Sequence, residues 1–368
     1  MKVAILGTRG IPNYHGGFEQ FAEFFSEYLT NNNIDVYVYC SSTHLYKEST
    51  YKNIKLIHCY DPEHKIGTAG QFIYDLNCVL DSRKRNFDVI LQLGYTSNSI
   101  WHFLLPKKPV IITNMDGLEW KRSKYSPLVR KFLKFAEKLA VKHSDYLIAD
   151  SIGISDFLKN KYNKPSKFIA YGAEVFNSPD FSVLASHNIQ PYSYDLLIAR
   201  MEPENNIETI IKGYLKKPSG RKLVIIGSHT ATKFGKYLYN SYSSNETIQF
   251  LGSLYDMTVL NNLRYYSNLY FHGHSVGGTN PSLLEAMASD CLIVAHNNVF
   301  NKSIIESDAF YFNDEEELSE YLKISKSDFE MQQKITHNKE KVLQKYSWNI
   351  INKSYLDFIK KCYNEKHL

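Results

Sequence analysis

The sequence predicts an α/β protein of two Rossmann-like halves, each a parallel sheet wound by helices. Three observations carry the prediction. Short apolar, β-branched runs alternate with longer stretches of helical period, the pattern of βαβ units. The series is interrupted once, by a polar, aperiodic stretch with two prolines. The 368 residues, at roughly 150 per domain, accommodate two domains that each bury a core.

In chain order the first half opens with VAILG at Val3. It continues with VYVYC at Val36, IKLIHC at Ile54, DVILQL at Asp88, PVIIT at Pro109 and DYLIAD at Asp145. The clearest helix, Gly17 to Leu29, places Phe18, Phe21, Ala22, Phe25 and Leu29 on one face. KFIAYGAEV closes this half at Val175, and NSPDFSVLASHNIQPYS after it reads as an interdomain linker. A second series follows: YDLLIAR at Tyr194, RKLVIIG at Arg221, TIQFLG at Thr247, NLYFHG at Asn268 and CLIVAH at Cys291. The C-terminal stretch reads as helices interrupted near YSWNII at Tyr346, with Tyr355, Phe358 and Ile359 on one stripe. The expected domains are 1–175 and 190–349.

Composition narrows the function classes. Apolar residues make up 43% and charged residues 22%, the balance of a globular chain. Five cysteines, Cys40, Cys59, Cys78, Cys291 and Cys362, lie scattered without C-x-x-C spacing. An odd, unclustered set suits reduced thiols in a cytoplasm and speaks against structural zinc. No apolar run approaches the ~18 residues of a membrane span, and Met1 leads straight into VAILG without a charged, then apolar, leader. The expectation is a protein neither exported nor integral to a membrane.

Two loops carry chemistry. GTRGIPNYHGG, with Gly7, Gly10, Gly16 and Gly17, joins the first strand to its helix; Arg9 lies within it. Glycines there let backbone N–H groups approach a phosphate, to which the helix N-terminus adds partial positive charge. The alternative is a tight turn only. A nicotinamide oxidoreductase is disfavoured, because the spacing is G-x-x-G and Cys40-Ser41-Ser42 ends the second strand where an acid belongs. The second loop lies within YFHGHSVGGTNPSLLEAMASDCLIVAH, Tyr270 to His296. A strand, adjacent glycines and a helix opening at Asn280-Pro281 converge backbone N–H groups and the Glu285 carboxylate, which suits a ribose diol beside a nucleotide phosphate. His272 and His274 are the histidines placed near this site.

With these residues the sequence resembles the GT-B glycosyltransferases of family GT4. Within them it is similar to the bacterial rhamnosyltransferases that open with G-T-R-G-I-P…G-G-x-E and carry H-G-H-S-x-G-G-T-N-P-S-L-L-E-A-M. The likeness also covers IARMEPENN at Ile198, FLGSLYD at Phe250 and YSWNII at Tyr346. It implies two Rossmann-like domains facing a cleft, the C-terminal one holding the nucleotide, and a final helix of about 350–368 returning to the N-terminal domain. By the resemblance Arg200 binds the diphosphate, Glu285 is the second acid of an E-x7-E motif, Gly278, Thr279 and Asn280 belong to the loop over the donor, and Leu254 packs on the base.

Two departures bear on the donor. Gly277 stands in the place of the first acid, and Asn205 where a Lys neutralises the diphosphate. A less charged pocket suits a deoxy sugar with an apolar C6 methyl. The same departures leave open a non-catalytic subunit of a transferase complex. On the N-terminal side Asp116, in TNMDGLEWKR, lies where many relatives have a His facing the sugar. An Asp at a strand's carboxyl end can act as a base or steady oxocarbenium charge; a turn before Gly117 is the alternative. Asp150 is a second candidate, its alternative being a helix cap.

The resemblance implies retention of anomeric configuration with the leaving diphosphate taking the acceptor proton, so that Arg200, gripping phosphate bidentately, matters most. No cofactor and no metal are expected, since there is no D-x-D motif. The expected reaction moves rhamnose from a dTDP-sugar to a lipid-linked saccharide in polysaccharide assembly; a UDP-hexose or UDP-HexNAc donor is the alternative.

Charge is unevenly placed. The net +5 is matched by one segment, Gly117 to Lys142, where eight Lys or Arg face two acids, Glu119 and Glu137. Leu128, Val129, Phe132, Phe135, Ala136, Leu139 and Ala140 are expected to form an apolar side, with Arg130, Lys131, Lys134, Lys138 and Lys142 on the rest. At about 1 kcal/mol per basic residue, Lys121–Lys142 can hold the protein at the anionic inner face of a cell membrane. A solvated helix on the domain's sheet is the alternative. Nucleic acid is disfavoured by the shortness of the patch and a pI near 8.6.

Overall fold

A computed structural model describes residues 1–122, 125–276 and 278–367. Two compact units appear. The first gathers Met1–Lys121, Tyr125–Tyr171 and Trp348–Leu368, and the second is built mainly from Gly172–Ser347.

The first unit holds an eight-stranded sheet of order β3-β4-β2-β1-β5-β6-β7-β8. Its strands are β1 (Lys2–Leu6), β2 (Asp35–Ser41), β3 (Thr50–Tyr51), β4 (Ile54–Cys59), β5 (Val89–Leu93), β6 (Val110–Asn114), β7 (Tyr146–Ala149) and β8 (Lys167–Phe168). All pairings are parallel except β3 with β4. The runs β5 and β6 are buried throughout, as strands covered by helices on both faces must be. The edge pieces β3 and β8, two residues each, are too short to leave an apolar pattern in the sequence.

The second unit holds a six-stranded parallel sheet of order β11-β10-β9-β12-β13-β14. It comprises β9 (Tyr194–Ile198), β10 (Lys222–Ile226), β11 (Ile248–Gly252), β12 (Tyr270–His272), β13 (Ile293–His296) and β14 (Phe310–Phe312). In each sheet the strand order reverses at the first strand of the series: β1 lies between β2 and β5, and β9 between β10 and β12. Ligands of open α/β sheets bind outside the carboxyl ends at such points. The glycine loop after β1, and the loops after β9 and β12, are therefore where the topology puts a site.

Three expectations are corrected. The stretch read as a linker is not free: Phe181–His187 forms a 3-10 turn, Leu184 is fully buried, and the Asp180 N–H donates to Asn262 Oδ1 at 2.7 Å. Its aperiodicity reflects a 3-10 turn, not an absence of packing. On Gly17–Asn31, Phe21, Ala22, Phe25 and Leu29 are buried as the period requires, but Phe18 is only half-buried, lying against Gly94. On Pro127–His143 the core contacts come from Leu133, Ala136, Ala140 and Val141, while Leu128 and Phe135 are exposed.

Candidate functional site

In the second unit the helix Pro281–Ala288 follows β12, with Pro281 in its first turn. Asn280 caps it, Oδ1 accepting from the Ser282 N–H at 2.9 Å. That oxygen is therefore committed to the cap, and what Asn280 offers a donor is its amide and main chain. Gly278 is half-buried and Thr279 buried; Gly277 lies outside the described residues.

Glu285, on the same helix, is held by an ion pair to Arg264 of the helix Met257–Tyr265. The Arg264 side chain is 1% exposed and that of Glu285 15%. Arg264 also donates from Nη1 to Asn261 Oδ1 at 3.0 Å. A buried guanidinium thus holds the Glu285 carboxylate in place. Arg264 escaped the sequence reading, because an arginine in the last turn of an amphipathic helix looks like a solvated charge favoured by the helix dipole. Only burial distinguishes the two.

Arg200 follows β9, exposed. Its carbonyl accepts from the Glu202 N–H and from Asn205 Nδ2, both at 2.7 Å. Asn205 is buried, and its Oδ1 meets His274 Nδ1 at 2.9 Å. Because Nδ2 is the donor to Arg200, Oδ1 must accept, and His274 carries its proton on Nδ1. Asn206 Nδ2 donates to the Gly273 carbonyl at 2.7 Å, and Asn298 and Asn301 both donate to the His274 carbonyl. A Cβ on Gly273 would lie 2.0 Å from the Asn205 carbonyl oxygen, so only glycine lets the two loops touch. Asn205, which the resemblance places where a Lys neutralises the diphosphate, staples the Arg200 loop to the His274 loop.

Burial lowers the His274 pKa to about 4, with Arg200 adding to the effect, and that of His272 to about 3. Both imidazoles are neutral at pH 7. His272 Nε2 is buried without a hydrogen-bond partner among the described residues. Leu254 is half-buried on the loop after β11, the outermost strand, so it stands two strands away from Arg200.

In the first unit the glycine loop departs from a phosphate cradle. Gly7 has φ +88°, and a Cβ there would lie 2.2 Å from the Leu93 carbonyl oxygen, so this glycine serves the close approach of β1 to β5. The N–H groups of His15 and Gly16 donate to Asn13 Oδ1 at 3.0 and 3.2 Å. The Arg9 N–H donates to Glu19 and that of Asn13 to Glu23. Two carboxylates and an Asx turn thus take the amides expected to meet a phosphate. The Gly17 carbonyl accepts from the Tyr171 hydroxyl at 2.9 Å. The Arg9 guanidinium forms a forked pair with Glu63, Nη2 at 2.8 Å from each oxygen, so Arg9 and Glu63 present a neutral polar unit, not a free cation.

Asp116, just beyond β6, has φ +44°, a left-handed conformation that costs a non-glycine residue on the order of 1 kcal/mol. It is held there by Asn114, whose Oδ1 accepts the Asp116 N–H at 3.0 Å and whose Nδ2 donates to the Tyr355 hydroxyl at 2.9 Å. Tyr355, on the helix Trp348–His367, is buried against Phe21 and Phe25. Its pKa is pushed up by burial, then by the charges of Asp150 and Asp116. Both candidate carboxylates therefore lie within electrostatic reach of one hydroxyl. Asp150 is not a helix cap: Ser151 is, accepting from the Ile154 N–H at 3.2 Å. Asp75, whose Oδ2 accepts from Ser97, has its pKa raised by burial to about 7. No group of three metal-ligating side chains occurs among the described residues.

Residues 187–342 match the family model "Glycosyl transferases group 1", and residues 1–174 the model "Domain of unknown function (DUF1972)". No curated protein matches the sequence. Among solved structures the chain is similar to a sucrose-phosphate synthase from Thermosynechococcus elongatus, at 14% identity, TM-score 0.78 and 99% of each chain. It is similar to Anabaena HepE in complex with UDP-glucose, at 15% identity, TM-score 0.77, covering 98% of this chain and 100% of that one. It is also similar to a trehalose 6-phosphate synthase from Burkholderia multivorans, at 11% identity, TM-score 0.68, covering 100% and 99%. The chain has the α/β GT-B fold of two parallel-sheet Rossmann-like domains, and its residues 187–342 match the glycosyl transferases group 1 model.

Proposed function

We propose that this enzyme transfers rhamnose from dTDP-rhamnose to a lipid-linked saccharide in cell-surface polysaccharide synthesis, at the cytoplasmic face of the membrane and without a metal. The observation that carries the nucleotide-sugar site is the grouping at one switch point of Arg200, the Asn280-capped helix N-terminus and the Arg264-supported Glu285. In this reading Arg200 and the helix amides offset the charge that grows on the leaving diphosphate, and Glu285 accepts hydrogen bonds from the ribose. The bond from C1 to the diphosphate breaks as the bond to the acceptor oxygen forms, and the acceptor proton passes to the diphosphate. Asp116 or Asp150 is the alternative base.

The deoxy-sugar donor is supported by Asn205. Its amide oxygen and nitrogen are both held by protein, leaving the loop after β9 without the second cation that the resemblance leads one to expect. A UDP-hexose donor is the second reading, favoured by the Anabaena relative, solved with UDP-glucose. Transfer assays with dTDP-rhamnose, UDP-glucose and UDP-N-acetylglucosamine, on short lipid-diphosphate saccharides, separate the two. At least tenfold preference for dTDP-rhamnose is expected. Preference for a UDP-sugar overturns the rhamnose assignment. No turnover with any donor, together with nucleotide binding unaffected by Arg200→Ala, overturns the donor site itself.

A further inference from the structure

Asp75 lies on the helix Ala69–Ser82, 7% exposed, and no step of the proposed reaction uses it. Its Oδ2 accepts the proton of the Ser97 hydroxyl at 2.5 Å. Ser97 is half-buried on the loop after β5. The pair belongs to the switch point of the first sheet, where β1 lies between β2 and β5. Two contacts tie it there. The Tyr74 hydroxyl, next to Asp75, donates to the Thr8 carbonyl at 2.8 Å, so the helix carrying Asp75 packs on the loop after β1. A Cβ on Gly94 would lie 3.3 Å from the Phe18 ring, so the loop carrying Ser97 starts against the helix that follows β1.

Charge decides what such a place can take. The groups facing Asp75 are Ser97, Asp61 from the stretch after β4 and Arg9 from the loop after β1, with Tyr74 and Cys78 beside it on its own helix. Arg9 is already paired with Glu63, and Glu19 and Glu23 take amides of the glycine loop. An incoming anion would meet carboxylates with no spare cation among these groups, whereas a neutral polyol would meet acceptors. The proton of Ser97 is committed to Asp75, and no group among the described residues donates to Ser97 Oγ. That oxygen is left to accept, and what it selects is a hydroxyl.

We infer that the Ser97–Asp75 pair reads one hydroxyl of a neutral acceptor sugar, Ser97 Oγ accepting from it and Asp75 holding Ser97 in the accepting orientation. Calling this sugar the acceptor rests on the transferase reading; the sugar site itself is tested by binding, without transfer. Burial first, and then Asp61, raise the Asp75 pKa to about 7, while Ser97 and Arg9 pull it down. Below that pH the carboxyl carries a proton of its own and competes with the sugar as a donor to Ser97. Above it Ser97 Oγ is open and more basic, so sugar binding tightens as pH rises through about 7.

Saturation-transfer NMR on the full chain measures binding of the methyl glycosides of glucose, galactose, rhamnose and N-acetylglucosamine, and of their monodeoxy forms. At least one parent glycoside is expected to bind, unaffected by saturating UDP or dTDP, and to lose about tenfold in affinity when one particular hydroxyl is removed. Ser97→Ala weakens that parent by the same factor and abolishes the difference between parent and deoxy forms; Ser97→Thr, which keeps the hydroxyl, restores it. A merely structural Ser97 would weaken both forms alike. Wild-type binding tightens about threefold between about pH 6 and 8, and that of Asp75→Asn does not change. Circular dichroism checks that the variants fold; if Ser97→Ala does not, the pH profiles of wild type and Asp75→Asn decide. No binding of any glycoside overturns the pair as a reader of sugar. So does a parent-to-deoxy ratio that is the same in wild type and Ser97→Ala, or a flat wild-type pH profile. If Ser97-dependent binding is found while no donor supports transfer, the sugar site stands and the transferase reading falls. If transfer occurs and Ser97→Ala leaves the acceptor KM unchanged, the transferase reading stands and the sugar site falls.

Discussion

Asn205 joins two loops through one side chain, donating to the Arg200 carbonyl at 2.7 Å and accepting from His274 Nδ1 at 2.9 Å. The guanidinium proposed to meet the diphosphate thus stands on a loop whose position is set by a neutral histidine. Asn205→Asp keeps the acceptor but brings a negative charge to the imidazole, so the His274 titration moves up from about 4. NMR of the histidine ring carbons measures that movement. The same variant is expected to raise the donor KM about tenfold, since Nδ2 no longer holds the Arg200 carbonyl. A KM and a titration both unchanged would show that the bridge orients nothing.

Glu285 depends on Arg264 for its position. Arg264→Met leaves the carboxylate buried without its cation, a loss on the order of 3–5 kcal/mol. Arg264→Lys is not expected to restore it, because an ammonium cannot reach both Glu285 and Asn261 as the fork does. Denaturant melts give the stability, and donor binding by calorimetry gives the functional loss. Full stability of the Met variant would contradict a supporting role.

Asp116 and Asp150 can be told apart. Asp116→Asn tolerates the left-handed backbone and removes only the charge; if Asp116 is the group that acts on the acceptor, kcat falls by about 10²-fold with the donor KM kept. Tyr355→Phe leaves Asn114 Nδ2 without its acceptor and is expected to cost about 1 kcal/mol and about tenfold in kcat. Parallel assays of Asp150→Asn supply the comparison. Loss of activity in that variant alone would move the role to Asp150.

The two units are expected to respond oppositely to pH. Asp75 has a folded pKa of about 7, above its unfolded value of 3.8, so the native state holds the proton more tightly. Its contribution to stability is full below pH ~4 and is lost as pH rises to about 7, a loss of a few kcal/mol at most. His272 and His274, depressed to about 3 and about 4, work the other way: the unfolded state takes up protons first as pH falls below ~6.5, and stability drops. Asp75→Asn should flatten the loss between pH 4 and 7 in urea melts of the whole chain, leaving the acid limb in place. An unchanged slope would mean that Asp75 is ionised in the folded protein.

Much of this molecule was legible in its residues. The strand runs from Val3 to Cys291 predict two parallel sheets because strands buried on both faces must be continuously apolar, and Asn280-Pro281 predicts a helix start because a side-chain cap and a fixed φ act locally. What local pattern cannot contain is the partner of a polar group. Arg264 and Glu285 are twenty-one positions apart, and Asn114 and Tyr355 are separated by most of the chain, so neither pairing leaves a periodic trace. Solvent exposure is equally non-local: helical spacing groups Leu128 and Phe135 with the buried residues of their helix, and only the neighbours that the fold supplies leave those two in water. Sequence alone thus determined the elements and the reaction class they resemble, while tertiary packing decided which charges are held, which amides are taken and which apolar side chains stay uncovered.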